Sequence, residues 1–137
     1  VAPALGWAIT QKLPIIFICE DNDLSVLTKT EDRRSWKAVD LAKSLNMYAV
    51  DITDDPWLIA HHVKKINKSG KPGFINIRTV RGIWHAGTGV DNELEWNRYE
   101  LVEKEIESMG LSQEMIEINL KNKEKVDLIW QKLQQKL

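Results

Sequence analysis

Apolar residues are distributed along the chain in two patterns. Short, mainly apolar runs occupy Ile15 to Glu20 (Ile-Ile-Phe-Ile-Cys-Glu), Met47 to Ile52 (Met-Tyr-Ala-Val-Asp-Ile) and Phe74 to Val80. Runs of this length, rich in branched and aromatic side chains and flanked by turn residues, predict strands. The first run is apolar on both faces, which predicts a central strand of a parallel sheet. Between the runs the apolar positions take helical spacing. Ala4, Leu5, Ala8 and Ile9 form one such face within Val1 to Lys12, closed by Pro14. Ala38, Leu41, Ala42 and Leu45 form a second, with Ser35 as the expected cap and Asn46 as the stop. Leu58, Ile59, His62, Val63 and Ile66 form a third. Its start is expected at Asp55, with Pro56 in the first helical position, and its end at Gly70.

Strand, helix, strand, helix, strand at these separations predicts right-handed crossovers and a parallel α/β sheet with flanking helices over residues 1–92. Residues 21–34 read as an aperiodic loop at the carboxyl edge of that sheet. Residues 93–137 read as a helical tail. A charged amphipathic helix is expected from Trp96 to Met109, ended by Gly110. A second is expected from Gln113 to about Lys136, capped by Ser112, with Met115, Ile116, Leu120, Val126, Ile129, Trp130 and Leu133 as its apolar positions. Trp7, Trp57 and Trp130 are expected on buried helix faces.

Composition narrows the function classes. The 137 residues suffice for one core, and 19 basic against 20 acidic residues leave no field that would select nucleic acid or a membrane surface. The lysine-rich end reads as a solvated helix face. No apolar run approaches the roughly 20 residues of a membrane span, and no signal peptide is visible. The lone Cys19 sits inside an apolar strand, a buried small residue rather than half of a disulfide. These features suggest a soluble, cytoplasmic protein. The chain opens at Val1 in what reads as mid-helix, which suggests a piece of a longer protein.

Ligands of open α/β sheets bind beyond the carboxyl ends of the strands. Two loops leave those ends: Glu20-Asp21-Asn22-Asp23 after the first strand and the glycine-bearing Gly82 to Asn92 after the third. The first offers Asn22 and the backbone carbonyl of Leu24, neutral oxygen donors that suit Mg²⁺. The second offers Arg81 and His85, donors for phosphate oxygens or a developing anion, His85 also as acid or base. The structural alternatives are an Asx turn at Asn22, a strand-end salt bridge at Arg81 and a surface imidazole at His85. His61 and His62 are neighbours on a helix and point apart, a poor metal pair. No Walker loop, nucleophile elbow or paired-cysteine zinc spacing occurs.

The order of these pieces resembles a known family. Lys12-Leu13-Pro14-Ile15-Ile16-Phe17-Ile18-Cys19-Glu20-Asp21-Asn22, followed by Leu24-Ser25-Val26-Leu27-Thr28, is similar to the alpha subunit of thiamine-diphosphate-dependent 2-oxo acid dehydrogenases. Asp40-Leu41-Ala42, Val50-Asp51, Gly70-Lys71-Pro72-Gly73, Thr79-Val80-Arg81 through His85, and Met109-Gly110-Leu111-Ser112 continue the likeness in sequence. The resemblance implies a thiamine-diphosphate-binding fold, incomplete at its N-terminus, in the transketolase-like superfamily. It implies thiamine diphosphate and Mg²⁺ as cofactors, with Asn22 and the Leu24 carbonyl as metal ligands. His85 would lie against the cofactor and Arg81 would brace the loop. The implied reaction is decarboxylation of a 2-oxo acid with transfer of the acyl group to a lipoyl-bearing acyltransferase. The implied partner is a beta subunit, in a heterotetramer, which supplies the cofactor-activating glutamate.

Three departures accompany the likeness. The family's Gly-Asp-Gly, source of a further Mg²⁺ ligand, would fall upstream of Val1, so the isolated chain is expected to be inactive. Asp21 replaces the first Asn of the family's pair, and Ala86 stands where regulated members carry a phosphorylatable serine. Thr79-Val80-Arg81-Gly82 and Asp91-Asn92-Glu93-Leu94-Glu95-Trp96 also resemble the N-terminal half of transketolase, although Asn97 replaces that family's histidine. A non-catalytic α/β binding module and a receiver-like phosphoacceptor domain using Asp21 or Asp23 are the readings from other classes.

Overall fold

The computed structural model describes residues 2–83 and 94–135. Its elements, in chain order, open with helix α1 (Ala2–Thr10) and strand β1 (Ile16–Asp21). A hairpin of β2 (Leu24–Ser25) and β3 (Thr28–Lys29) and a single helical turn, α2 (Thr30–Arg33), come next. Helix α3 (Ala38–Ser44), strand β4 (Tyr48–Thr53), helix α4 (Pro56–Ser69) and strand β5 (Gly73–Arg78) complete the α/β part. Helices α5 (Arg98–Ser108) and α6 (Ser112–Gln134) close the chain. Two compact units result, Val1–Trp96 and Asn97–Leu137. The boundary expected between 92 and 93 lies outside the described residues.

The three-stranded sheet is parallel, in the order β1-β5-β4. This is the α/β class that the alternation of runs predicts, with one exchange of places. The central strand is β5, in which Gly73 to Ile77 are all buried, and β1 lies at an edge with Ile18 53% exposed. The reason is helix coverage. On one face Leu5 of α1 and Val39 and Ala42 of α3 pack with Met47 and Phe74, drawing in Phe17 and Cys19. On the other face Ile66 of α4 packs on Ile75 and Ile77, with Ile16, Val50 and Ile52 at the margins. Ile18 belongs to neither cluster, so an apolar residue alone did not earn a central position.

Helix ends follow local chemistry more closely than tertiary position does. Asp55 caps α4 as expected, its Oδ1 accepting the Leu58 N–H at 2.8 Å, and Gly70 ends it in the left-handed region at φ 63°. At α3 the cap residue is Lys37 rather than Ser35, and no side chain caps it. The extended backbone of Lys37 (φ −99°, ψ 141°) delays the helix by two residues beyond Trp36. Residues 21–34 hold the hairpin and α2 rather than plain loop. Asn46 leaves α3 at φ 59°, the stop expected of it.

In the second unit Asn97 caps α5, accepting the Tyr99 N–H at 3.1 Å. Ser112 is the first residue of α6 rather than its cap, which falls on Leu111. No described residue of this unit is buried. Trp7, Trp57 and Trp130 are 64%, 45% and 61% exposed, so the expectation of buried indoles fails at all three. On α1 the buried stripe runs through Leu5 and Ala8, which turns Trp7 outward. No helix among the described residues is long and apolar enough to cross a membrane.

Candidate functional site

The parallel register sets the site. Cys19, Asn76 and Asp51 align across β1, β5 and β4, and two residues on Asp21, Arg78 and Thr53 align at the carboxyl ends. Beyond those ends lies a cavity of about 600 Å³. Asn22, Leu24 and Arg81 all line it, so the two loops that the sequence singles out do reach a common space. His85 and Trp84 lie outside the described residues, as does Ala86.

Two successive Asx turns shape the first loop. Asp21 Oδ1 accepts the Asp23 N–H at 3.1 Å, and Asn22 Oδ1 accepts the Leu24 N–H at 3.1 Å. The Asx alternative at Asn22 and the ligand reading therefore concern the same oxygen. A carbonyl oxygen carries two lone pairs, so accepting the Leu24 N–H leaves Asn22 Oδ1 able to face a cation. Asp23 takes a positive φ of 60°, which aspartate tolerates in such turns.

The floor of the cavity holds residues that sequence reasoning left out. Asn76, 7% exposed at the centre of the sheet, donates from Nδ2 to Asp51 Oδ1 at 2.9 Å and to Asp21 Oδ2 at 3.4 Å. Arg34 approaches Asp21 Oδ2 at 4.0 Å and stacks 4.7 Å from the Trp36 ring. The available signal was Asn76 itself, a single amide within the apolar run Phe74 to Ile77. Lys29, Lys37, Arg78 and Arg81 join Arg34 in lining the cavity, together with Asp21, Asp23, Asp51 and Glu95. The basic members of this lining suit an anionic group such as a phosphate.

Beside the floor, burial pushes the Cys19 thiol above its ordinary pKa, the Asp21 carboxylate adds to the shift, and Arg34 opposes it. Cys19 is thus held as a thiol, not as a nucleophile. Arg78 pairs with Glu95 through two contacts of 3.0 Å and lies 5.3 Å from the Trp96 ring. Trp96 Nε1 donates to both Asp54 oxygens at 3.0 Å, which ties Trp96 to the end of β4. No group of three His, Cys, Asp or Glu side chains suited to a metal occurs among the described residues.

The chain has no match among protein-family models, curated proteins or solved structures.

Proposed function

We propose that this chain is the diphosphate-binding part of a thiamine-diphosphate-dependent enzyme that decarboxylates a 2-oxo acid and passes the acyl group to a lipoyl carrier. One observation supports the reading most: Asn22, Leu24 and Arg81, from loops after different strands, line one cavity at the carboxyl end of a parallel sheet. Asn22 Oδ1 and the Leu24 carbonyl would hold Mg²⁺, and the donor set fits a hard cation that arrives with its own diphosphate charge. Bound there, thiamine diphosphate would supply the electron sink for decarboxylation. The chain's own part is placement. The two Asx turns hold the loop that bears Asn22 and Leu24, while Arg81, on the cavity lining, would offer a positive charge to the diphosphate.

A transketolase-like half is the second reading, and it shares the cavity and the cofactor. Asn97 stands in place of that family's histidine, which counts against a sugar-transferring transketolase; in this chain it caps α5. A receiver-like role at Asp21 or Asp23 fits poorly, because no group of three His, Cys, Asp or Glu side chains suited to the metal such a site needs occurs among the described residues. The partners proposed are a beta subunit and a lipoyl-bearing acyltransferase.

The test is calorimetric titration of thiamine diphosphate with Mg²⁺ into the complete assembly. Asn22→Ala is expected to lower affinity more than His85→Ala does, and the isolated chain is expected to bind weakly or not at all. Equal affinity in the Asn22 variant removes the metal-ligand role.

A further inference from the structure

Asn76 is the only buried polar residue of the described core, and its two ends face different surroundings. Its Nδ2 lies between the carboxylates of Asp51 and Asp21, while Oδ1 has no hydrogen-bond partner. Reversing the amide would set a carbonyl oxygen against two carboxylates, so the hydrogen-bond network assigns its direction. Asp21 is then held from two sides. Its Oδ2 takes the Asn76 donor, and its Oδ1 takes the backbone N–H of Asp23 inside the loop that carries Asn22 and Leu24. The same loop is tied to the sheet by the Thr79 N–H, which donates to the Asp21 carbonyl at 3.0 Å.

From this chain of contacts we infer that Asn76 is a positioning residue: anchored by Asp51, it orients Asp21 and through it sets the turn that presents Asn22 and the Leu24 carbonyl to the cavity. It also gives a physical account of Asp21. An acid at the head of this loop is stable because a buried amide donor faces it, and the donor is useful because Asp51 holds it from the far strand. The geometric part stands without any ligand. Its consequence for cofactor binding rests on the function proposed above.

The test separates the two. Amide hydrogen exchange on this chain reads the turn directly at Asp23 and Leu24, with the Leu58 N–H, capped by Asp55 on another helix, as the internal control. Asn76→Asp removes the donor and adds a third carboxylate. Exchange at Asp23 and Leu24 is expected to rise about tenfold, the scale of one lost charge-assisted hydrogen bond, with Leu58 unchanged. Adding Asp21→Asn returns a donor to the pair and is expected to recover part of the protection. Asp51→Ala, on the exposed rim, provides a variant that keeps the core amide, and a rise of about threefold at Asp23 is expected, following loss of one of two anchors. Uniform acceleration across all three amides in Asn76→Asp, or no change at Asp23 in Asp51→Ala, overturns the inference. In the complete assembly, Asn76→Asp is expected to weaken Mg²⁺-dependent binding of thiamine diphosphate about tenfold. A loosened turn with unchanged cofactor affinity sinks the proposed ligand role of the loop and leaves the positioning intact. Weakened affinity with an unchanged turn does the reverse.

Discussion

Gly73, the first residue of β5, has a side chain of its neighbour where its own would be. A Cβ placed there would meet three atoms of Ile66: Cδ1 at 2.6 Å, Cγ1 at 2.7 Å and Cγ2 at 2.8 Å. Carbon atoms in good contact sit roughly 3.5–4.0 Å apart, so the overlap is about 1 Å. Ile66 is 3% exposed and packs on Ile75 and Ile77, and because both branches of its side chain collide, rotating the tip does not clear the clash. Gly73→Ala must therefore displace α4 from the sheet, at about 1–3 kcal/mol. Ile66→Ala alone is expected to cost about 2–5 kcal/mol by emptying the same space. In the double variant the new methyl fills part of that space, and the Gly73→Ala penalty is expected to shrink to under about 0.5 kcal/mol. Urea unfolding followed by far-UV circular dichroism measures all four species, compared at constant slope. Penalties that add within about 0.5 kcal/mol would show that the clash with Ile66 is not the source of the cost.

Other outcomes follow from single sites. Val26 takes φ 59° at the tip of the β2–β3 hairpin, a conformation that a β-branched residue adopts at a cost, so Val26→Gly is expected to stabilise the chain by about 0.5–1 kcal/mol. A lower urea midpoint for that variant would contradict it. Burial, then His61 and Lys65, lower the pKa of His62, whose Nδ1 lies 2.8 Å from the Tyr48 hydroxyl. The unfolded state then binds more protons, so stability is expected to fall as pH drops below about 6.5 toward the lower native value. His62→Gln should flatten that acid limb, as read from urea midpoints between pH 5 and 7; an unchanged limb would count against the assignment. In the second unit, where no described residue is buried, trypsin is expected to cut α6 at Lys121, Lys123 or Lys125 before any site in α4. Earlier cleavage at Lys64 or Lys65 would refute this.

Much of the α/β frame was legible because its signals are local. The runs at Ile15, Met47 and Phe74 become strands, and the Asp55-Pro56 start and the Gly70 stop of α4 hold to the residue. Strand order was not legible in the same way. An apolar run shows that a strand can be covered on both faces, but the helices decide which strand is covered, and they cover β5 rather than β1. Ser35 fails as a cap because the chain stays extended through Lys37. That Asn22, Leu24 and Arg81 reach one space could be read from loop position alone, since carboxyl-end loops of a parallel sheet share one side. The Asp21–Asn76–Asp51 contact could not. It joins residues 55 and 25 positions apart, and only the register of three strands sets Asn76 level with Asp51 and two positions from the level of Asp21.

The placement of β1 bears on how the protein behaves in a crowded solution. Among the described residues its backbone is zipped to a neighbour along one flank only, and Ile15 and Ile18, 40% and 53% exposed, stud the margin. Such a flank is adhesive: any extended segment of suitable register can lie down beside it and continue the ladder. Glu20 and Asp21 repel comers only at the far tip. Purified at high concentration, a chain with this flank open is therefore prone to associate margin to margin.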